Sequence, residues 1–403
     1  MKNARALLEN SKGATEYIIK EITHICRSMK KRAPGSEGER EAAEYMAKTL
    51  RGECGCGKVI TESFSEHPGA FYGYLYFSCV LDVLTCILFF VNPWLSIAAG
   101  ILTLLLFLLQ FVLYFEVIDI FFPKKHSVNV TAVRPCSGET KQRIFLNGHI
   151  DAAWEWPLNY YFNGVVFEAH GILAVFGVVY YLLLSVFKLA GFGKWTLTAG
   201  VIGIVFVLVW VGLCFLRNKK RVVDGANDNL TGCYLGIAVL KEMEEKGIVL
   251  ENTEIGVILT GSEESGLRGA KAWCKAHKED YSDVPTYIYS FDTIHDPKFL
   301  MVNKRDLNGT VKADTELAEL FLEGAKSAGV PCQNGWVPPM GGATDSAAFT
   351  KGGFRSVGIT GLNHKLEDYY HTRKDSFDNL NAEGIENCYK AIIQTISLID
   401  ESV

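Results

Sequence analysis

The chain has 403 residues, enough for one large domain or two ordinary ones with ample material for a core. Forty basic residues against 45 acidic ones give a net charge of −5, so there is no basic footprint and no nucleic-acid partner is expected. Hydrophobic residues make up 49%, and it is their concentration in a few stretches that carries information. The eleven cysteines follow no framework spacing, and Cys54-Gly55-Cys56 lacks a second pair to complete a zinc knuckle. Free thiols in a reducing compartment are the expectation.

From Met1 to Lys20 charges recur without an apolar core, so no signal peptide is expected. Glu16 to Met29 has helical periodicity, and Arg32-Ala-Pro-Gly-Ser-Glu-Gly38 reads as a turn. Glu39 to Leu50 reads as an amphipathic helix with Ala43, Met46, Ala47 and Leu50 on its apolar stripe.

Two strongly apolar pairs then interrupt the soluble pattern. Tyr74 to Val91 and Trp94 to Phe115 are separated by Asn92-Pro93, while Gly171 to Phe187 and Trp195 to Leu216 are joined by a linker from Lys188 to Lys194. Each stretch is close to the roughly 20 residues that a bilayer span needs, so four transmembrane helices in two hairpins are predicted. Ala98, Ala99, Gly100, Gly177, Gly200 and Gly203 suit close helix contact. The chain divides into residues 1–70, a hairpin at 71–122, residues 123–164, a hairpin at 165–217 and residues 218–403.

Because each hairpin returns the chain to its starting side, all three soluble segments lie on one membrane face. Lys124, Lys125, Arg217, Lys219, Lys220 and Arg221 flank the spans there, against Lys188 and Lys194 opposite. The positive-inside rule therefore predicts an integral membrane protein with its soluble part facing the cytoplasm. Asp82 lies inside the first span, or near the interface if that span begins later; Gln110 and Glu116 are its candidate polar neighbours. Trp154, Trp156, Tyr160, Tyr161 and Phe162 precede the third span and suit an interfacial aromatic belt or a substrate-binding lip.

The chemistry-bearing residues sit where buried strands end. Arg143 to Asn147 is a short strand leading to Gly148-His149-Ile150-Asp151, in which His149 and Asp151 project to one side. Gly225-Ala-Asn-Asp228-Asn229-Leu-Thr-Gly232 opens a helix. Ile255 to Thr260 reads as a buried strand of a parallel sheet, broken by Gly261-Ser262 and followed by Glu263-Glu264. Thr286 to Phe291 is a further strand ended by Asp292, and Asp368-Tyr-Tyr-His371-Thr372 precedes Asp375 and the last helix. His149, Asp228, Glu264, Asp292 and His371 thus supply five imidazole and carboxylate ligands of the kind that suits zinc, and an aspartate shared between two ions is possible in such a set.

The order of these motifs, with Gly342-Ala-Thr-Asp345-Ser-Ala-Ala-Phe349 and Tyr370-His371-Thr372, resembles the di-zinc aminopeptidase family that includes bacterial leucyl aminopeptidase and, more distantly, glutamate carboxypeptidase and glutaminyl cyclase. The resemblance spans nearly all the non-membrane sequence. It implies a three-layer α/β/α zinc-exopeptidase-like domain with a mostly parallel central sheet, here carrying the two inserted hairpins. It further implies two Zn²⁺ ions bridged by Asp228, with His149 and Glu264 completing one site and Asp292 and His371 the other. Asp151 would orient His149, and Glu263 would be the general base. Ser346 follows Asp345 where the family often has a histidine.

The function expected is a membrane-anchored di-zinc metallohydrolase of amide bonds, an aminopeptidase of short or hydrophobic peptides near the bilayer. Three alternatives stay open: an amidohydrolase of N-acyl amino acids or lipopeptides, a single-zinc cyclase, and a non-catalytic receptor or transporter subunit with a peptidase fold. The second hairpin lies between His149 and Asp228, which must converge, so the site is expected close to the membrane surface.

Overall fold

The computed structural model describes residues 3–363 and 367–403. Helix α1 (Ser11–Ser28) and helix α2 (Glu37–Glu53) extend the two predicted N-terminal helices, and the Ser36 side chain caps α2 by accepting from the Glu39 amide. Strand β1 (Lys58–Glu66) leads into α3 (Ala70–Val91) and α4 (Pro93–Phe107), the latter prolonged by a π-turn at Leu108–Val112. The chain returns through β2 (Lys125–Arg134) and β3 (Gln142–His149). A short α5 (Pro157–Tyr161) precedes α6 (Gly164–Leu189), followed by α7 (Gly193–Gly203) and α8 (Phe206–Leu213).

Next come α9 (Thr231–Glu245), β4 (Thr253–Thr260), α10 (Arg268–His277) and β5 (Thr286–Ile294). Beyond them lie β6 (Leu300–Asn303), a ribbon of β7 (Arg305–Asp306) and β8 (Val311–Lys312), and α11 (Thr315–Ser327). The chain closes with β9 (Gln333–Gly335), α12 (Asp345–Gly352), β10 (Arg355–Gly361) and α13 (Ala382–Asp400).

Eight strands form one sheet in the order β1-β2-β4-β3-β5-β10-β6-β9. Its centre, β4-β3-β5-β10, is parallel, whereas β1, β2 and β6 pair antiparallel with their inner neighbours. The period-two alternation of buried strands decides the layers. Ile144 and Leu146, like Val257 and Tyr289, face a core covered by α1, α2, α9, α11 and α13. Phe145, Ile258 and Ile288 face the opposite core under α10 and α12.

The apolar spans are helical but differ in extent from the sequence reading. The first begins at Ala70, the second ends at Val112, and the third begins at Gly164. Each of these three helices is long and apolar enough to cross a membrane. The fourth stretch is broken into α7 and α8, bent by 43°, and counts as a span only if the bent pair is one. The bend falls just after Gly203, whose missing side chain lets the rings of Tyr180 and Tyr181 approach. Glu116 lies past the end of the second span and pairs with Arg268 and Lys271, so it is no neighbour of Asp82; Thr103 faces Asp82 instead.

Topology decides where the two hairpins leave the sheet. The α3–α4 pair connects β1 to β2, with Glu66 opposite Lys125, and β2 runs antiparallel to β4. That connection therefore sits at the carboxyl end of β4. The α6–α8 segment begins after the carboxyl end of β3 and leads into α9. Both insertions depart from the carboxyl edge of the parallel strands, which is where open α/β sheets bind ligands.

Candidate active site

His149 is the last residue of β3 and is buried. Gly148 before it is required by space, since a Cβ there would stand 2.4 Å from backbone atoms of Gly232 and Cys233. Arg32, buried in the N-terminal turn, donates to the carbonyls of Ile150 (2.7 Å) and Gly225 (3.0 Å). It thereby ties the end of β3 to the loop that carries Asp228.

Asp228 stands between the two histidines. Its Oδ1 lies 3.1 Å from His149 Nε2 and its Oδ2 3.0 Å from His371 Nε2. Glu264 Oε1 is 3.2 Å from His371 Nε2, and Asp292 Oδ2 is 4.0 Å from His149 Nε2. The five side chains singled out in the sequence therefore meet. Three overlapping groups have the spacing to hold an ion: His149 with Asp228 and Asp292, Asp228 with Glu264 and His371, and His149 with Glu263 and Glu264. Strand order brings them together: β3, which ends in His149, lies between β4, which leads to Glu263 and Glu264, and β5, which carries Asp292, while Glu264 also turns toward the loop bearing His371.

Asp151 takes a role beyond the expected one. Its carboxylate oxygen stands 3.4 Å from His149 Nδ1, and its backbone oxygen 3.2 Å from the same nitrogen. The two carboxylate oxygens also accept the backbone N–H groups of Glu263 and Glu264, each at 3.0 Å. Those charge-assisted bonds hold the Glu-Glu turn in register with β3. Ser262, before the pair, is anchored by Glu39, which accepts from its amide at 2.8 Å, and by Glu66, which accepts from its hydroxyl at 2.7 Å. Glu263 itself is buried beside the group, its Oε2 3.8 Å from His149 Nε2, and lines a cavity.

Several positioning residues escaped the sequence reading. Asp375 accepts from the amides of Asn227 (2.8 Å) and Asp228 (3.2 Å), fixing the Asp228 loop. Ser262, Thr293 and His371 have φ of 54°, 50° and 51°, a left-handed backbone that non-glycine residues rarely adopt. No residue type announces that geometry. A signal did exist for Arg32 and Glu39, which lie in or next to the Arg32–Gly38 turn. The aromatic group splits: Trp156 stacks on Phe167 with ring centroids 4.2 Å apart and meets His371 edge-on, whereas Tyr161 and Phe162 are exposed. Trp154 and Tyr160 lie under the guanidinium groups of Arg217 and Arg373.

The electrostatics call for a cation. Burial pushes Glu263 well above the usual carboxylate range, with Glu264 and Asp292 adding to the effect against the attraction of His149. Burial, followed by the charge of Asp228, pushes Asp292 up to about 8. Burial also opposes the charge of Asp228, yet the two imidazoles outweigh it and hold that group low. Burial works against protonated His371 too, but Glu264 and Asp228 raise it to about 10. Too many buried carboxylates share too few cations. His149 Nε2, Asp228 Oδ2 and Glu264 Oε1 are moreover buried without a hydrogen-bond partner among the described residues. Borderline nitrogen and hard oxygen donors turned inward without partners fit zinc.

Comparison with known proteins agrees with this chemistry. The family model of Peptidase family M28 matches residues 215–396, which include Glu263 and four of the five grouped ligands, with His149 before the match. No curated protein matches the chain. Among solved structures, LapB from Legionella pneumophila is similar with a TM-score of 0.56 at 14% identity, over 99% of this chain and 76% of that one. The zinc aminopeptidase BSAP from Bacillus subtilis has a TM-score of 0.56 at 12% identity, covering 96% and 94% of the two chains. A Fimbriiglobus ruber glutaminyl cyclase has a TM-score of 0.57 at 13% identity, covering 95% of each. At such identities the likeness establishes a shared fold. The family match, joined to that fold and to the inward-turned ligand set, supports a zinc-dependent metallopeptidase.

Proposed function

We propose that the chain is a membrane-anchored hydrolase of amide bonds, an aminopeptidase-like enzyme working at the membrane surface with two zinc ions. The observation that carries this reading is Asp228, whose two carboxylate oxygens face two different imidazoles. His149, Asp228 and Asp292 would hold one ion, and Asp228, Glu264 and His371 the other. When bound, zinc supplies Lewis acidity to the scissile carbonyl and acidifies the attacking water.

The chain's own residues do the rest. Glu263 takes the proton from the water and delivers it to the leaving amine. The Asp151 carboxylate keeps Glu263 in place by accepting from the Glu263 backbone N–H, and Trp156 walls the cavity beside His371. The glutaminyl cyclases share the fold, but a carboxylate shared between two ligand groups favours a two-metal hydrolase over a single-metal cyclase. Metal analysis with a screen of aminoacyl, peptidyl and N-acyl amides tests the reading. Two zinc equivalents and amide cleavage that chelation abolishes and zinc restores are expected; metal-independent cleavage, or none of these amides cleaved, overturns it.

Residues 71–122 and 165–217 serve in this reading as membrane inserts in one catalytic domain made of three segments. The three long apolar helices and the bent pair support anchoring, and the cations flanking them on the catalytic side support a cytoplasmic orientation. An epitope placed at exposed Gly191, in the turn between α6 and α7, is expected to be reached by antibody on intact cells. Detection only after permeabilisation, with an epitope on the catalytic segments reached on intact cells, would reverse the orientation.

A further inference from the structure

We infer that the substrate is an amide bearing one long aliphatic chain, and that this chain lies inside the helix bundle. The inference rests on the hydrolase reading above and names its substrate. A single cavity of about 470 Å³ runs from Glu263, Glu264, Asp292 and His371 down between α3, α4 and α6 to Ser78, Asp82 and Thr103. Phe71 near its top and Asp82 at its floor lie on the same helix. Their separation in sequence gives a depth of about 16 Å at 1.5 Å per residue.

The lining decides what fits. Between the carboxylates and the floor the walls include Leu75, Leu104, Phe107, Ala174, Val178 and Leu213. An extended peptide filling that depth would bring about five residues at 3.3 Å each, and their N–H and C=O groups would face apolar walls unpaired. A hydrocarbon chain has no such groups to satisfy. The side chain of a short peptide would leave most of the depth unfilled.

The floor is of the opposite character. Ser78, Asp82 and Thr103 are 4%, 2% and 5% exposed, and among the described residues Ser78 Oγ, Asp82 Oδ1 and Thr103 Oγ1 have no hydrogen-bond partner. These buried polar groups close the cavity and offer a hydrocarbon nothing to gain by pressing against them, so the floor sets a ceiling on chain length. Both hairpins leave the sheet at the edge that carries the reactive carboxylates, so an amide held there has the bundle interior directly beneath it.

The test uses the full chain in phosphatidylcholine nanodiscs with two substrate series, acetyl- to palmitoylglycine and leucine methylamide to hexadecylamide. In at least one series kcat/KM is expected to rise about fourfold per methylene, the equivalent of burying one CH₂, and to stop rising once the chain meets the floor. Ala174→Phe and, from the opposite wall, Leu104→Trp are expected to flatten that slope. Slopes are compared within one variant, so a general loss of activity cancels. Intact amide hydrolysis with no dependence on chain length, or with slopes unchanged in both variants, overturns the inference.

A second readout needs no turnover. Dodecanoylglycine with a diazirine at the chain end, irradiated with metal-stripped protein, is expected to label residues around Ser78, Thr103 and Val178. Labelling confined to outward-facing residues such as Val80 and Ile87, which are 59% and 51% exposed, overturns it. Interior labelling without hydrolysis of any amide would retain the chain site and remove the hydrolase reading, so the two failures are distinguishable.

Discussion

Glu263→Gln is expected to lower kcat by about 10²–10⁴-fold, the usual contribution of a positioned general acid–base group, while the zinc content stays at that of the native protein. The reason is a division of labour between neighbours. Glu264 Oε1 stands 3.2 Å from His371 Nε2, whereas Glu263 has its backbone fixed by Asp151, stands 3.8 Å from His149 Nε2 and lines the cavity. Glutamine keeps the shape and the backbone anchor but cannot accept the water's proton. Steady-state kinetics on an aminoacyl amide, with metal content measured on the same sample, checks this. Full activity with metal retained would remove Glu263 from the mechanism, and loss of metal would make it a ligand.

Asp228→Asn is expected to have the larger effect on the metals. One carboxylate faces both imidazoles, and a neutral amide cannot offer an anionic oxygen to two ions. Zinc should fall from two equivalents to one or fewer. Losing a metal's share of charge stabilisation, several kcal/mol, corresponds to a rate loss of about 10³-fold or more. Asp375 is untouched by this change and still holds the loop through the amides of Asn227 and Asp228, so the fold should survive. Circular dichroism with metal analysis separates metal loss from unfolding. Two retained equivalents would show that Asp228 bridges nothing.

Much of this site was legible without coordinates because its signals are local. A β-branched run broken by Gly261-Ser262 marks a strand end wherever the strand lies, and a stretch of some twenty apolar residues marks a long buried or membrane helix whatever its neighbours. His149, Asp228, Glu264, Asp292 and His371 were identified from such positions, and the fold brings all five together. Residue type carried that information.

Tertiary structure alone decided the relations among those signals. The meeting of the ligands follows from β3 lying between β4 and β5, and strand order is not written in any one strand. Glu116 pairs with Arg268 and Lys271, far along the chain, and its place just past an apolar run gave no hint of them. Asp151 holds the backbone of Glu263 and Glu264 because two strand ends lie side by side, a contact that spacing cannot report. The continuous cavity arises because both insertions leave one edge of the sheet, which depends on β2 running antiparallel to β4. Periodicity and residue type are properties of short stretches of chain. Which stretches become neighbours is settled only when their buried faces pack together, and the substrate's path is drawn at that level.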